Sequence, residues 1–323
     1  DWTALETSYC GETQTCSGVM NLEVLSNCQC VSNELRLSLS QEAQGSLEFS
    51  VEGIKNPPST ATYTGFVLKT GLGTGVLQEA QSISFKVNKP STINLSRFVV
   101  KSSEIVYSKS NYEFEISCQL PVHTQAILEL TFPENEFTVD PNFTTEIQGI
   151  FGIRPNPQFS VSDSVISISE GFNSDLESME YINFVVKQIQ NPPTTKPTDY
   201  IKILIKDSNG EICQTQEDNL LSFTASPSTL VNTKVAVQDL TINAKTIYTF
   251  SFESSVTIPS GGSIKITLPQ QISAENHPQK ECFFIPDSSM LKSTSLCEVT
   301  DNKYIWVTNG FSESYTSGNI ELQ

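Results

Sequence analysis

The feature that most constrains this chain is internal self-similarity, because a repeat dictates that each copy build the same supersecondary unit. Asn56-Pro57-Pro58-Ser59-Thr60 returns as Asn191-Pro192-Pro193-Thr194-Thr195, a shift of 135. Pro90-Ser91-Thr92 returns as Pro227-Ser228-Thr229 at 137. YEFEIS from Tyr112 returns as YTFSFE from Tyr248, and LELTFP from Leu128 as IKITLP from Ile264, both at 136. Four anchors agreeing within two residues define a unit of about 136 residues, a length that buries its own core. One complete unit then spans residues 91–227, preceded by the late part of a unit over 1–90 and followed by the early part of another over 228–323. Two arrangements account for the ragged ends: neighbouring repeats of a longer chain, or self-association in which incomplete units on adjacent molecules complete each other by strand donation.

The patterned segments have period two. In Tyr112-Glu113-Phe114-Glu115-Ile116 large apolar residues alternate with charged ones, and Tyr248-Thr249-Phe250-Ser251-Phe252 does the same, so each reads as a strand with one buried and one wet face. Ile201–Lys206 and Ser263–Leu268 carry β-branched residues on alternate positions, which pack well on a pleated surface. No segment of 12 or more residues carries an i, i+3, i+4, i+7 apolar stripe free of Pro, Gly or β-branched runs. Ile258-Pro259-Ser260-Gly261-Gly262 and Asp207-Ser208-Asn209-Gly210 read as hairpin turns, and Gly71-Leu72-Gly73-Thr74-Gly75 as a flexible hairpin. The paired prolines after Asn56 and Asn191 lack donors and end a ladder, so the N-P-P element reads as a rigid loop between two strands. About seven short strands per unit, with frequent turns, predict an all-β fold of tandem immunoglobulin-like antiparallel β-sandwich domains.

Charge and composition exclude several functions. With 36 acidic and 19 basic residues the net charge is −17, a field that repels phosphate backbones, so no nucleic-acid partner is expected. No apolar run is long enough for a membrane helix, so no membrane insertion is expected. Catalytic residues, cofactors and metal sites are not expected either. The only histidines, His123 and His277, fall in turn-like contexts beside prolines, and no G-x-S-x-G, H-E-x-x-H or phosphate-loop pattern occurs. Glu113/Glu115 and Glu134/Glu136 fall on strand or loop positions read as exposed, without a cleft. The acidic loops Asp207–Glu211 and Glu134–Asp140 offer oxygen ligands of the kind calcium takes, but read as solvated turns.

Eight cysteines without zinc spacing, and two glycosylation acceptors at Asn94 and Asn142, point to an oxidising, extracellular compartment and to attached glycans. Ser and Thr make up about a fifth of the chain, consistent with solubility carried by hydroxyls and sugar at low charge content. The spacing pairs Cys282 with Cys297, and closing that loop stabilises by about 3 kcal/mol in the chain-entropy account. Cys16 pairs with Cys30 or Cys28, leaving Cys10 for the remaining partner. Cys118 on an early strand and Cys213 near a late one are expected to bridge across the sandwich.

The motifs Y-x-F-x-[IF], LELTFP/IKITLP, the spaced Cys pair and I-x-N-P-P-[ST]-T together resemble the units of very large secreted or surface repeat proteins of ciliates and related protists. That resemblance implies immunoglobulin-like modules building an extracellular coat, appendage or filament, without catalytic residues to transfer. The expected function is therefore a structural component of a secreted or cell-surface assembly. The alternative is an adhesin whose loops bind carbohydrate or a cell-surface protein.

Overall fold

The computed structural model describes the backbone of residues 16–18, 25–31, 34–39, 49–51, 56–72, 75–139, 146–216, 221–275, 277–282, 284–285, 295–316 and 318–322, and side chains over 56–71, 76, 78–139, 146–216, 221–275, 297–316 and 318–322. Every regular element among them is a strand. The chain divides into two compact units, Asp1–Ser91 with Asn209–Gln214, and Thr92–Ser208 with Thr215–Gln323.

The first unit pairs its strands two by two. β1 (Cys16–Gly18) runs antiparallel to β4 (Phe49–Val51), and β2 (Leu25–Val31) forms a hairpin with β3 (Glu34–Leu39). β5 (Thr62–Leu72) and β6 (Gly75–Lys86) form the long hairpin expected around Gly71–Gly75. It follows the first N-P-P segment, where the Tyr63 hydroxyl lies 2.9 Å from that of buried Ser59. Phe85 stacks on Tyr63 and meets Phe66 edge-on. Phe66, Val67, Leu68, Val76, Ile83 and Phe85 are nonetheless exposed.

The second unit opens with β7 (Ser91–Val100), β8 (Lys109–Cys118), β9 (Ile127–Thr131), β10 (Glu146–Phe151), β11 (Gln158–Ser162), β12 (Val165–Ser169), β13 (Tyr181–Gln190) and β14 (Lys202–Lys206). Four of these run in the order β10-β13-β8-β7 and four in the order β14-β9-β12-β11, all antiparallel. The alternation read in the sequence decides what lies between the two layers. Tyr112, Phe114, Ile116 and Cys118 of β8, with Ile182, Phe184 and Val186 of β13, face Leu128, Leu130, Ile166, Ile168, Ile203 and Ile205 of the other layer in one buried cluster. Tyr112 stacks on Phe98 and meets Phe132, Phe137 and Phe223 edge-on, at centroid distances of 5.7 to 6.4 Å. Each such pair adds about 0.5–1.5 kcal/mol beyond the burial of its area. The Asp207–Gly210 turn, with Gly210 at φ +86°, leads from β14 into β15 (Ile212–Thr215) as its Asn-Gly chemistry predicts.

A second set of strands repeats this order. β16 (Leu230–Val237), β17 (Tyr248–Ser254), β18 (Ile264–Thr267), β19 (His277–Cys282), β20 (Phe284–Ile285), β21 (Ser295–Thr300), β22 (Tyr304–Thr308) and β23 (Asn319–Leu322) follow one another. They assemble as β16-β17-β23-β20 and β18-β22-β21-β19. β7-β8-β13-β10 thus corresponds to β16-β17-β23-β20, and β9-β12-β11 to β18-β22-β21. Even local irregularities recur: Tyr107 and Asn243, 136 residues apart, have φ of +58° and +62°. The second core, built on Phe252, Val307, Phe311, Tyr315, Ile320 and Leu322, is thinner among the described residues.

Three local expectations need correction. The Ile258–Gly262 turn is not a hairpin: it carries the chain from β17 in one sheet to β18 in the other. Its backbone pairs with a distant segment instead, Ile258 exchanging two hydrogen bonds of 2.8 and 2.7 Å with Tyr315, as Val122 does with Leu176 in the first set. A Pro/Gly turn specifies the reversal of the chain, not the sheet in which it resumes. His277 lies in strand β19, not in a turn, with the ladder bulged between His277 and Lys280 around the intervening proline. Glu113 is buried, not exposed, because the long side chains of Lys101 and Arg97 reach over its carboxylate.

Candidate functional site

The N-P-P loop is held by a buried polar hub. A bulge in β13 between Val186 and Ile189, with Gln188 at φ +63°, shifts the alternation so that Ile189 still points inward. Asn191 follows at 1 % exposure. Its Oδ1 accepts a hydrogen bond from the Tyr112 hydroxyl, and its Nδ2 donates to the carbonyls of Ser103 and Ile105, both at 2.8 Å. Its backbone N–H donates to Ser108 O. Burial raises the Tyr112 phenol above its ordinary pKa, so it remains a donor. The Ser103–Ser108 turn is itself shaped by the Ser110 hydroxyl, which accepts from the Ser103 N–H. Pro192 and Pro193 then carry the chain across to β14 without asking for ladder donors. The loop expected from the prolines is therefore also an asparagine anchor. The signal for it lay in the sequence as the joint recurrence of Tyr112/Tyr248 with Asn56/Asn191.

A second polar cluster lies on the opposite face of the β7-β8-β13 layer. Glu113 receives the Lys101 ammonium on Oε2, the Arg97 guanidinium at 3.7 Å on Oε1, and Asn183 Nδ2 at 3.3 Å. The Lys101 hydrogen bond, opposed by desolvation and reinforced by Asn183 and Arg97, holds its carboxyl below the ordinary glutamate range. Glu113 is therefore a paired anion covered by long cationic side chains. Glu115, opposite Arg97 in the ladder, is half-buried. Glu134 is exposed, and Glu136 accepts the Asp199 N–H at 2.8 Å. His123 Nδ1 lies 3.5 Å from Asp175, whose carboxyl is lowered first by the Thr124 N–H at 2.8 Å and then by His123. Among the described residues no three His, Cys, Asp or Glu side chains gather as a metal site. Asp207 is buried in its turn and Asp140 lies outside the described residues.

The structure separates two cysteines that the spacing had joined. Cys118 and Cys213 are both buried, and neither is part of a disulfide. Cys118 sits at the end of β8 opposite Ile93, inside the apolar core, while the Cys213 thiol donates to Glu211 O of its own turn at 3.7 Å. Placing residues on an early and a late strand fixes neither their height along the strands nor the direction of their sulfurs, and a bridge needs both. Burial pushes the Cys118 thiol up to about 12. Cys297 is disulfide-bonded. Cys282 lies on the adjacent strand β19, opposite Ser295 in a ladder that also sets Lys280 opposite Cys297. The side chains of Cys282, Cys16, Cys28 and Cys30, and all of Cys10 and Asn142, lie outside the described residues. Asn94 is exposed on β7.

The second set of strands presents apolar surface at positions that the first set covers. Val122, Leu128, Leu130 and Ile166 are at most 1 % exposed, whereas their counterparts Ile258, Ile264, Ile266 and Ile305 are only partly buried. Val106 is buried, and its counterpart Ile242 is 89 % exposed. In the first set β14 pairs with β9 and sets Ile203 opposite Leu130 and Ile205 opposite Leu128. Among the described residues no strand occupies the corresponding edge of β18.

No family model matches the chain, and no curated protein matches it. Among solved structures, the crystal structure of BcpA, the major pilin subunit of Bacillus cereus, is similar over 79 % of this chain and 79 % of that one, at 10 % identity and a TM-score of 0.26. So loose a superposition carries no argument about fold or role. Among the described residues no helix is long and apolar enough to cross a membrane.

Proposed function

We propose that the chain is a non-enzymatic structural component of an extracellular filament, coat or appendage, built from tandem immunoglobulin-like modules and assembled through self-association or with neighbouring repeats. One observation carries this reading: two sets of strands in series share the orders β7-β8-β13-β10 with β16-β17-β23-β20 and β9-β12-β11 with β18-β22-β21, down to matching left-handed residues at Tyr107 and Asn243. Modules that each close on their own core extend an assembly with few contacts between them. The disulfide at Cys297 supports an oxidising compartment, and exposed Asn94 is open to a glycan. Two carboxylates are engaged in holding strands and loops: Glu113 by Lys101 and Arg97, and Asp175 by Thr124 and His123. The same reading places the chain with the secreted repeat proteins of ciliates and related protists that its motifs resemble. Negative-stain electron microscopy of native material is expected to show regular fibres or a lattice. Dispersed particles that bind a glycan array would replace this reading with that of an adhesin.

A further inference from the structure

We propose that a glycan on Asn94 folds back over the outer face of the first sandwich and packs its first sugars against Tyr181. The inference rests on the extracellular, glycosylated reading above and names what the sugar touches.

Three residues of the β7-β8-β13 layer form one row across that face. Asn94 of β7 stands opposite Ser117 of β8, and Ser117 opposite Tyr181 of β13. Their chain neighbours Ile93, Ile116, Cys118 and Ile182 lie in the core at no more than 2 % exposure, so alternation turns Asn94, Ser117 and Tyr181 outward together. Neighbouring strands lie about 4.8 Å apart, which sets the backbones of Asn94 and Tyr181 about 10 Å from each other. The first two sugars of an N-linked chain span that distance.

The middle of the row is low and its far end is apolar. Ser117 is small and buried, so no long side chain rises between the two ends. The Tyr181 ring is 54 % exposed, and Met179 and Phe151 are exposed to a similar degree, Phe151 standing on β10 opposite Asn183. A pyranose ring has an apolar C–H face that fits the electron-rich face of an aromatic side chain, and hydroxyls around its rim. Arg97 and Glu115, opposite each other in the next outward row, supply a donor and an acceptor for those hydroxyls.

The second sandwich provides the comparison that links acceptor to ring. Its equivalent row is Val231, Glu253 and Asn319, with neither a glycosylation triplet at its first position nor an aromatic at its last. The triplet and the exposed ring therefore occur together on one sandwich and are both missing from the other, although the strands beneath them have the same order. An exposed aromatic flanked by apolar side chains invites association with another molecule. Covered by sugar, this face is withdrawn from lateral contacts in the assembly.

The test uses the full chain secreted from eukaryotic cells, carrying Asn142→Gln so that Asn94 is the one remaining Asn-X-Ser/Thr acceptor. Peptide mass spectrometry reads the glycan at Asn94 and, after brief exposure to tetranitromethane, the nitration of Tyr181. With the glycan in place, nitration of Tyr181 is expected to be roughly threefold to tenfold slower than in the Ser96→Ala chain. That substitution falls on an exposed residue and removes the triplet while keeping Asn94 and Tyr181. The glycosylated chain is also expected to melt about 2–4 °C higher than Ser96→Ala, and Tyr181→Ala to abolish that difference. Equal nitration in the two chains overturns the proposal, whether Tyr181 is open in both or shielded in both by another molecule. A glycan-dependent rise in melting temperature that survives Tyr181→Ala overturns it as well. An unmodified Asn94 defeats this contact and the glycosylated reading together, whereas a glycan that leaves nitration unchanged defeats the contact alone.

Discussion

Asn191 shows how a single side chain fixes a loop that prolines only permit. Asn191→Ala removes three side-chain hydrogen bonds, takes the acceptor from the buried Tyr112 hydroxyl and leaves Ile105 O with only the Ser108 N–H, which predicts a loss of about 3 kcal/mol in urea unfolding. Tyr112→Phe removes one of these bonds and should cost about 1–2 kcal/mol. Glu113 and Asp175 make stability depend on pH. Both folded pKa values lie below the ordinary carboxylate values, so their stabilisation is complete above those ordinary values and is lost as pH falls through the depressed ones. Glu113→Gln should therefore be less stable than the parent at pH 7, with the gap closing as acid is added, as read by melting temperature against pH. Cys118, with its thiol pushed up to about 12, should resist iodoacetamide at pH 8 in the native protein and alkylate after denaturation, a difference that mass spectrometry reads directly. Period-two patterning identified the inward row of β8. It assigned Glu113 to solvent because it cannot see Lys101 and Arg97 folding over that face.

At the scale of the element, the β13 bulge is the decisive irregularity. Gln188 adopts φ +63°, and its counterpart in the first repeat is Gly53, the residue that takes this region without steric cost. Gln188→Gly should therefore leave stability nearly unchanged, whereas Gln188→Val should cost about 1–2 kcal/mol in thermal or chemical unfolding. β10 carries the opposite constraint. A Cβ on Gly149 would lie 2.2 Å from Arg154 O and 2.5 Å from Ile153 O, so a side chain there must displace backbone. Turns were legible where their chemistry is local, as at Asp207–Gly210. They were not where the partner is remote, as at Ile258, whose hydrogen bonds go to Tyr315.

For the whole molecule, the unequal sealing of two equivalent cores has a measurable consequence. Leu130→Ala empties a fully enclosed site and should cost about 2–5 kcal/mol. Ile266→Ala, at an only partly buried equivalent position, should cost less than half as much in the same unfolding assay of the isolated chain.

The repeat length, the all-strand character, the inward rows of each strand and the recurrent Tyr and Asn are properties of local order, since alternation and turn chemistry act within a few residues. Which cysteines meet, which glutamate is buried and which sheet receives β18 depend on strands brought together over many tens of residues. Sulfur direction, side-chain cover and edge pairing are set by the height and register of those strands, and only tertiary packing supplies them.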